Sequence, residues 1–218
     1  MRYAFLADIH GRVEKMQAVL RDAHERGATQ IVSLGDVGGD ECVALLRQAG
    51  AVAVLGNYEV SSWPHLAAEN QAWVQGWPPL LAGVTFLAVH AAPWWPDGLR
   101  TLHEFAAWRQ QPGRSWRALF PYLDADEDYL WQALAELEAA DKAVLFHGHT
   151  HRQTVWRCGP AGRLQQARSA TVRLQAEHRY LAGAGSVGMP EDGAWSEYLL
   201  YDEDEGQIAL IRLGNAEE

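Results

Sequence analysis

Cysteine is scarce in this chain: two residues among 218, Cys42 and Cys158, with no Cys-x-x-Cys spacing. That argues against a disulfide scaffold, and reduced thiols in a cytoplasm are the simple reading. Long apolar runs are missing too. No stretch approaches the roughly 20 continuous apolar residues of a membrane span, so no membrane is expected among the partners. The N-terminus runs straight into a strand-like stretch, and no cleavable signal peptide is expected. Basic charge is short: 18 Lys and Arg stand against 28 Asp and Glu, a formal net charge of −10. Binding along a nucleic-acid backbone needs a basic footprint, so a long nucleic acid is excluded as a partner. A metal site could still draw phosphate locally, because ions reverse the charge that matters there.

What the chain does have is apolar substance, 48% of its residues, enough for one core in a single domain over residues 1–218. It also has five short polar patches, each directly after an apolar run. They read Asp8-Ile9-His10, Gly35-Asp36, Gly56-Asn57, His90 and His147-Gly148-His149-Thr150-His151. The runs before them, residues 3–7, 31–34, 51–55, 84–89 and 143–146, read as strands buried on both faces. Ligands of such sheets bind beyond the carboxyl ends of the strands, so the five patches should converge on one edge. Two carboxylates, four or more imidazoles and a carboxamide are too many ligands for one ion. The expectation is a two-metal site.

Imidazole, carboxylate and carbonyl oxygen without thiolate suit manganese, with iron, zinc, nickel or cobalt as alternatives. Two such ions roughly 3.5–4 Å apart clamp the attacking and leaving oxygens of an in-line displacement at phosphorus. Water on such an ion can lose its proton near neutral pH, at a pKa of about 7 on zinc. One carboxylate must be shared between the ions, because they repel each other. Asp36 is the candidate, in a turn where Gly35 lets the backbone bend.

In this order and these strand contexts, Asp8-x-His10, Gly35-Asp36, Gly56-Asn57, His90 and Gly148-His149-x-His151 resemble the motifs of the calcineurin-like metallophosphoesterases. Gly185-Ser186-Val187-Gly188-Met189-Pro190 is similar to a tail signature of small bacterial members. The resemblance implies that Asp8, His10 and His151 hold one metal, that Asn57, His90 and His149 hold the other, and that Asp36 bridges them. Asp36, Asn57, Tyr58 and His149 are then the catalytic set. His147 has no counterpart and is expected to be a hydrogen-bonding partner or a bystander.

One departure from the family pattern bears on substrate. Where the family usually reads Gly-Asn-His, this chain reads Gly56-Asn57-Tyr58-Glu59. Tyrosine keeps a donor hydroxyl, but an ordinary pKa of about 10 makes it a reluctant acid at neutral pH. A phosphodiesterase acting on a small nucleotide-like phosphoester by metal-activated water is therefore expected. The alternatives are a phosphomonoesterase or phosphoprotein phosphatase, a dinucleoside polyphosphate hydrolase, and a non-catalytic binding module on the same fold.

The coarse pattern supports that fold. Helices over about 13–26 and 41–48 alternate with the first strands. The later half is strand-rich, at 153–157, 170–174, 179–182, 196–201 and 207–212, and the acidic run 202–205 reads as a solvated turn. The expected class is α/β, a four-layer αββα sandwich of two mixed β-sheets flanked by helices. A helical cap is expected at about 93–140, carrying Trp94, Trp95, Trp108, Trp116 and Trp131 among arginines. Most of these aromatics should pack. Trp94 and Trp95, just beyond His90, are expected to meet substrate together with Tyr58.

Overall fold

The computed structural model describes residues 1–214, and of Trp116 the backbone alone. The first half runs β1 (Arg2–Leu6), α1 (Val13–Glu25), β2 (Gln30–Ser33), α2 (Asp40–Gln48), β3 (Val52–Ala53), α3 (Glu59–Ser62), a 3-10 turn (Trp63–His65) and α4 (Ala68–Val74). The middle runs β4 (Leu80–Ala82), β5 (Phe86–Val89), α5 (Leu102–Arg109), α6 (Trp116–Leu119), α7 (Glu127–Ala139) and β6 (Val144–His147). The rest is strand: β7 (Gln153–Cys158), β8 (Leu164–Gln166), β9 (Thr171–Arg173), β10 (Arg179–Ala184), β11 (Ser196–Asp202) and β12 (Gln207–Leu213).

Two mixed six-stranded sheets result, ordered β3-β2-β1-β11-β12-β9 and β4-β5-β6-β10-β7-β8. In the first, β1, β2 and β3 are parallel and β11 runs against β1. In the second, β5, β6 and β10 are parallel. Side-chain alternation along β1 explains why its sequence is apolar throughout. Ala4 and Leu6 face Met16, Val19 and Ala23 of α1, while Phe5 and Ala7 face the other sheet. Between the sheets, Phe5 stacks on Phe146 with ring centroids 3.8 Å apart. On the far side, Leu87, Leu145 and Leu181 pack on Leu130, Ala133, Leu134 and Leu137 of α7. The order is helix, sheet, sheet, helix, as expected.

Local sequence accounts for the helices. Met16, Val19 and Ala23 recur at helical spacing on the buried face of α1. The Asp126 side chain accepts from the Asp128 N–H at 3.0 Å to cap α7. Thr101 and Glu104 form a reciprocal capping box at the start of α5. The segment expected to form a cap therefore divides. Its last helix, α7, is a layer of the sandwich, and the part before it covers one end of the sheets.

Several bounds differ from expectation. The strand expected at 51–55 shrinks to Val52–Ala53, because Leu55 turns its N–H to the Pro78 carbonyl at 3.0 Å. The one expected at 84–89 begins at Phe86, where Gly83 and Phe86 close a tight turn back to β4. The edge strands β4 and β8, three residues each, are too short to leave a periodic signal. The acidic run does form the turn between β11 and β12.

Candidate metal centre

The loops after β1, β2, β3, β5 and β6 meet at one end of the sandwich. The first two run side by side, with N–H bonds from Asp8 to Gly35, His10 to Asp36 and Gly11 to Val37 at 3.1, 3.0 and 2.9 Å. Side chains are excluded where loops touch. A Cβ on Gly35 would lie 2.6 Å from the Gly56 nitrogen, and one on Gly148 would lie 2.7 Å from the Ala7 Cβ. Beneath the Asp8 loop, the Ser186 hydroxyl donates to the Asp8 carbonyl at 2.7 Å. The N–H groups of Val187 and Gly188 bond to Ala7 and Asp8. This is the part played by the glycine-rich tail segment.

Two groups of side chains face each other across these loops. Ligand atoms of Asp8, His10 and His151 lie within 4.8 Å of one another, as do those of Asp36, His90 and His149. Asn57 joins the second group, its Oδ1 lying 3.1 Å from His90 Nε2. Backbone carbonyls set the imidazole tautomers. His90 Nδ1–H donates to Leu34 and His151 Nδ1–H to Met189, both at 2.7 Å. His149 Nε2–H donates to Phe120 at 3.0 Å. A carbonyl oxygen only accepts, so in each neutral ring the other nitrogen carries a lone pair.

Those lone pairs point at other lone pairs. His90 Nε2 sits 3.4 Å from Asp36 Oδ1 as well as beside Asn57. His151 Nε2 sits 3.4 Å from Asp8 Oδ1 and 3.2 Å from His10 Nε2. Asp8 Oδ1 is buried without a hydrogen-bond partner among the described residues. A cation in each group satisfies these atoms together, and nitrogen with hard oxygen suits divalent first-row metals. The residues fit two such ions.

Charge and strain point the same way. Burial, with the neighbouring Asp8 charge, pushes the Asp36 carboxyl up to about 8. Burial also drives His149 down to about 3. Asp8 is held below the usual carboxylate range: burial opposes this, but contact with His151 and the nearby imidazoles outweighs it. Protein groups alone thus leave the two carboxylates competing for compensation. Asp8, His10, Asp36, His149 and His151 all have left-handed backbone, with φ from 50 to 65°. Among the described residues only Asp141 and Glu177 share it outside glycine. Such strain clusters where side chains must converge.

The other expected residues fall as follows. Tyr58 is 42% exposed, its ring edge-on to His10 with centroids 5.5 Å apart, and its N–H donates to Asp36 Oδ1 at 2.7 Å. His147 is buried outside both groups, its Nδ1 3.1 Å from the Gly148 carbonyl. Trp95 packs edge-on against Phe105 and Phe120, and Trp94 packs beside Tyr129. Neither tryptophan lines the cleft that opens beside His151. Both tryptophans are half-buried.

Two features escaped the sequence reading. Glu59, 2% exposed, accepts N–H bonds from Asp36, Val37 and Gly56 at 2.9, 2.8 and 2.8 Å, bolting two metal-group loops together. Burial, then the Asp36 charge, raises its carboxyl to about 7. Its only signal in sequence is its place two residues after Asn57. Tyr122, with its ring centroid 4.7 Å from that of His149, has no sequence signal.

Comparison with known proteins follows the same lines. The calcineurin-like phosphoesterase superfamily domain matches residues 1–206. An uncharacterized protein of Methanocaldococcus jannaschii is 25% identical over 220 residues, spanning 96% of this chain and 86% of that one. A metallophosphoesterase from Sphaerobacter thermophilus has a similar fold, with a TM-score of 0.71 at 21% identity, covering 98% of this chain and 89% of the other. An archaeal phosphodiesterase shares the fold at a TM-score of 0.56 and 11% identity, over 98% of this chain and all of its own.

Proposed function

This chain belongs to the calcineurin-like phosphoesterase superfamily, and from that membership we propose that it is a two-metal phosphodiesterase acting on a small nucleotide-like phosphoester. The observation that carries the reading is the pair of carbonyl-fixed imidazoles, His90 and His151, whose free nitrogens face carboxylate oxygens at 3.4 Å. In this reading Asp8, His10 and His151 would hold one ion and Asn57, His90 and His149 the other, with Asp36 serving both. Manganese is the first choice among the metals this donor set suits. When bound, the ions supply Lewis acidity and an activated water for displacement at phosphorus.

The chain's own residues do the rest. Asp8 and Asp36 bring two negative charges to ions that would otherwise repel. The carbonyls of Leu34, Phe120 and Met189 orient three imidazoles before any ion arrives, so little order is lost on binding. Tyr58 brings a phenol ring beside His10 where the family usually has an imidazole. A diester with a good leaving group needs less protonation than an alkyl monoester, which supports the phosphodiesterase reading. A single domain with the segment before α7 as a cap belongs to the same proposal. The free cysteines Cys42 and Cys158 support a reducing, cytoplasmic setting.

Hydrolysis of bis-p-nitrophenyl phosphate and p-nitrophenyl phosphate, with and without Mn²⁺, tests this directly. Metal-dependent cleavage favouring the diester is expected, lost in Asp36→Ala. Tyr58→His should raise monoester turnover. A strong monoester preference in the wild type would sink the phosphodiesterase assignment. Tight Mn²⁺ binding with no turnover of either ester would favour a binding module.

A further inference from the structure

Beside Asp8, His10 and His151 opens a cleft of about 430 Å³, lined by Tyr122, Asp124, Thr150, His151, Arg152 and Glu191. The guanidinium in it is already engaged. Arg152 Nε and Nη2 donate to the two oxygens of Glu191 at 2.6 and 2.7 Å, and Nη1 donates to Asp124 Oδ2 at 3.3 Å. Two carboxylates against one guanidinium leave the cleft with negative charge in excess. The Asp124 side chain is only 10% exposed. Its Oδ1 has no hydrogen-bond partner among the described residues. Tyr122 is 53% exposed although its ring is held against His149.

From this we infer that the cleft is the subsite for the nucleoside part of the substrate: a flat, uncharged ring stacks on Tyr122, and a second phosphate is turned away. An aromatic ring fixed beside the reacting centre and still open to solvent is a stacking platform, and every base offers a face to it. A further phosphate would enter excess negative charge. To reach Arg152 it would have to displace a bidentate carboxylate partner. The metal groups attract one phosphoryl group and the cleft beside them repels another. A nucleoside phosphodiester meets both conditions, and a dinucleoside polyphosphate does not.

The inference rests on the two-metal phosphodiesterase reading, yet its test does not need turnover. Ligand-observed NMR on the metal-free protein, with adenosine and with inorganic tripolyphosphate as probes, reads the cleft directly. Adenosine should contact the wild type, and Tyr122→Ala should weaken it roughly tenfold, within the range of one base–aromatic stack. Tripolyphosphate should ignore the wild type and bind the Asp124→Asn/Glu191→Gln variant. Glu191→Gln alone, at an exposed position, should show the same gain more weakly and guards against misfolding of the double variant. Tripolyphosphate binding to the wild type, or adenosine binding untouched by Tyr122→Ala, would overturn the inference. Bis-p-nitrophenyl phosphate cleavage by the Mn²⁺-loaded wild type separates the two ideas. Cleavage without adenosine contact refutes the subsite alone, whereas adenosine contact without cleavage supports the subsite and refutes the hydrolase.

Discussion

Five candidate ligands sit in a backbone conformation that disfavours them. Asp8, His10, Asp36, His149 and His151 each adopt a left-handed φ, which costs a residue with a Cβ roughly 1–2 kcal/mol. The compensation lies in the loop-to-loop hydrogen bonds and, on the proposed reading, in metal. His10 gives the clearest test, since its side chain is partly exposed and makes no hydrogen bond to a backbone carbonyl among the described residues. His10→Gly should leave the metal-free protein as stable as the wild type, or more stable by up to about 1 kcal/mol, because relief of strain exceeds the entropy that glycine adds to the unfolded chain. Mn²⁺ affinity should fall at the same time. Urea unfolding of both metal-free proteins reads the first effect, and a loss above about 1 kcal/mol would place the cost elsewhere.

Between elements, the decisive contacts are loop to loop. Parallel neighbours bring the ends of β1, β2 and β3 close together, and Glu59 closes the gap between the second and third of these loops with three N–H bonds. A glutamine there keeps the shape but turns an N–H donor toward a backbone donor. Glu59→Gln should therefore cost about 1–3 kcal/mol, the penalty for a buried unsatisfied group. Metal affinity should weaken with it, since Asp36 hangs from the same loop. Chemical denaturation of the metal-free variant measures the first effect and calorimetric titration with Mn²⁺ the second. Unchanged stability would mean that the loops are held by their backbone bonds alone.

For the whole molecule, the ends of the first sheet's central strands are tied by charge. Arg2 on β1 donates through Nε and Nη2 to Asp202 on β11, at 3.0 and 2.6 Å. The Arg2 guanidinium, helped by the Glu205 N–H, holds the Asp202 carboxyl below the usual range. A carboxyl depressed in the folded state stabilises fully above its unfolded value, near 3.8. That contribution fades as pH falls through the folded value. Asp202→Asn should thus lower stability at pH 7 by well under about 1 kcal/mol, since Arg2 is half exposed and solvent screens the pair. It should also flatten the loss of stability below about pH 4. Melting curves from pH 2.5 to 7 would show this, and an unchanged acid limb would deny Asp202 the role.

The αββα order and the convergence of the metal groups were legible in the chain because both follow from local pattern. A strand buried on both faces must be apolar throughout, as at Ala4, Phe5 and Leu6, and polar residues just after such strands have one sheet edge to occupy. The resemblance in motif order narrowed this to the metal groups. What surrounds them was decided only by tertiary packing. Trp94 and Trp95 follow His90 in sequence, and their rings meet Tyr129, Phe105 and Phe120 from later in the chain. Tyr122 lies far from every motif, and Glu191 directly follows the glycine-rich tail segment. They share a cleft with Arg152 because the segment before α7 folds over the strand ends. Side-chain periodicity reports which face of an element is buried. It carries no information about which distant loop will lie across that face, since long-range contacts set that choice.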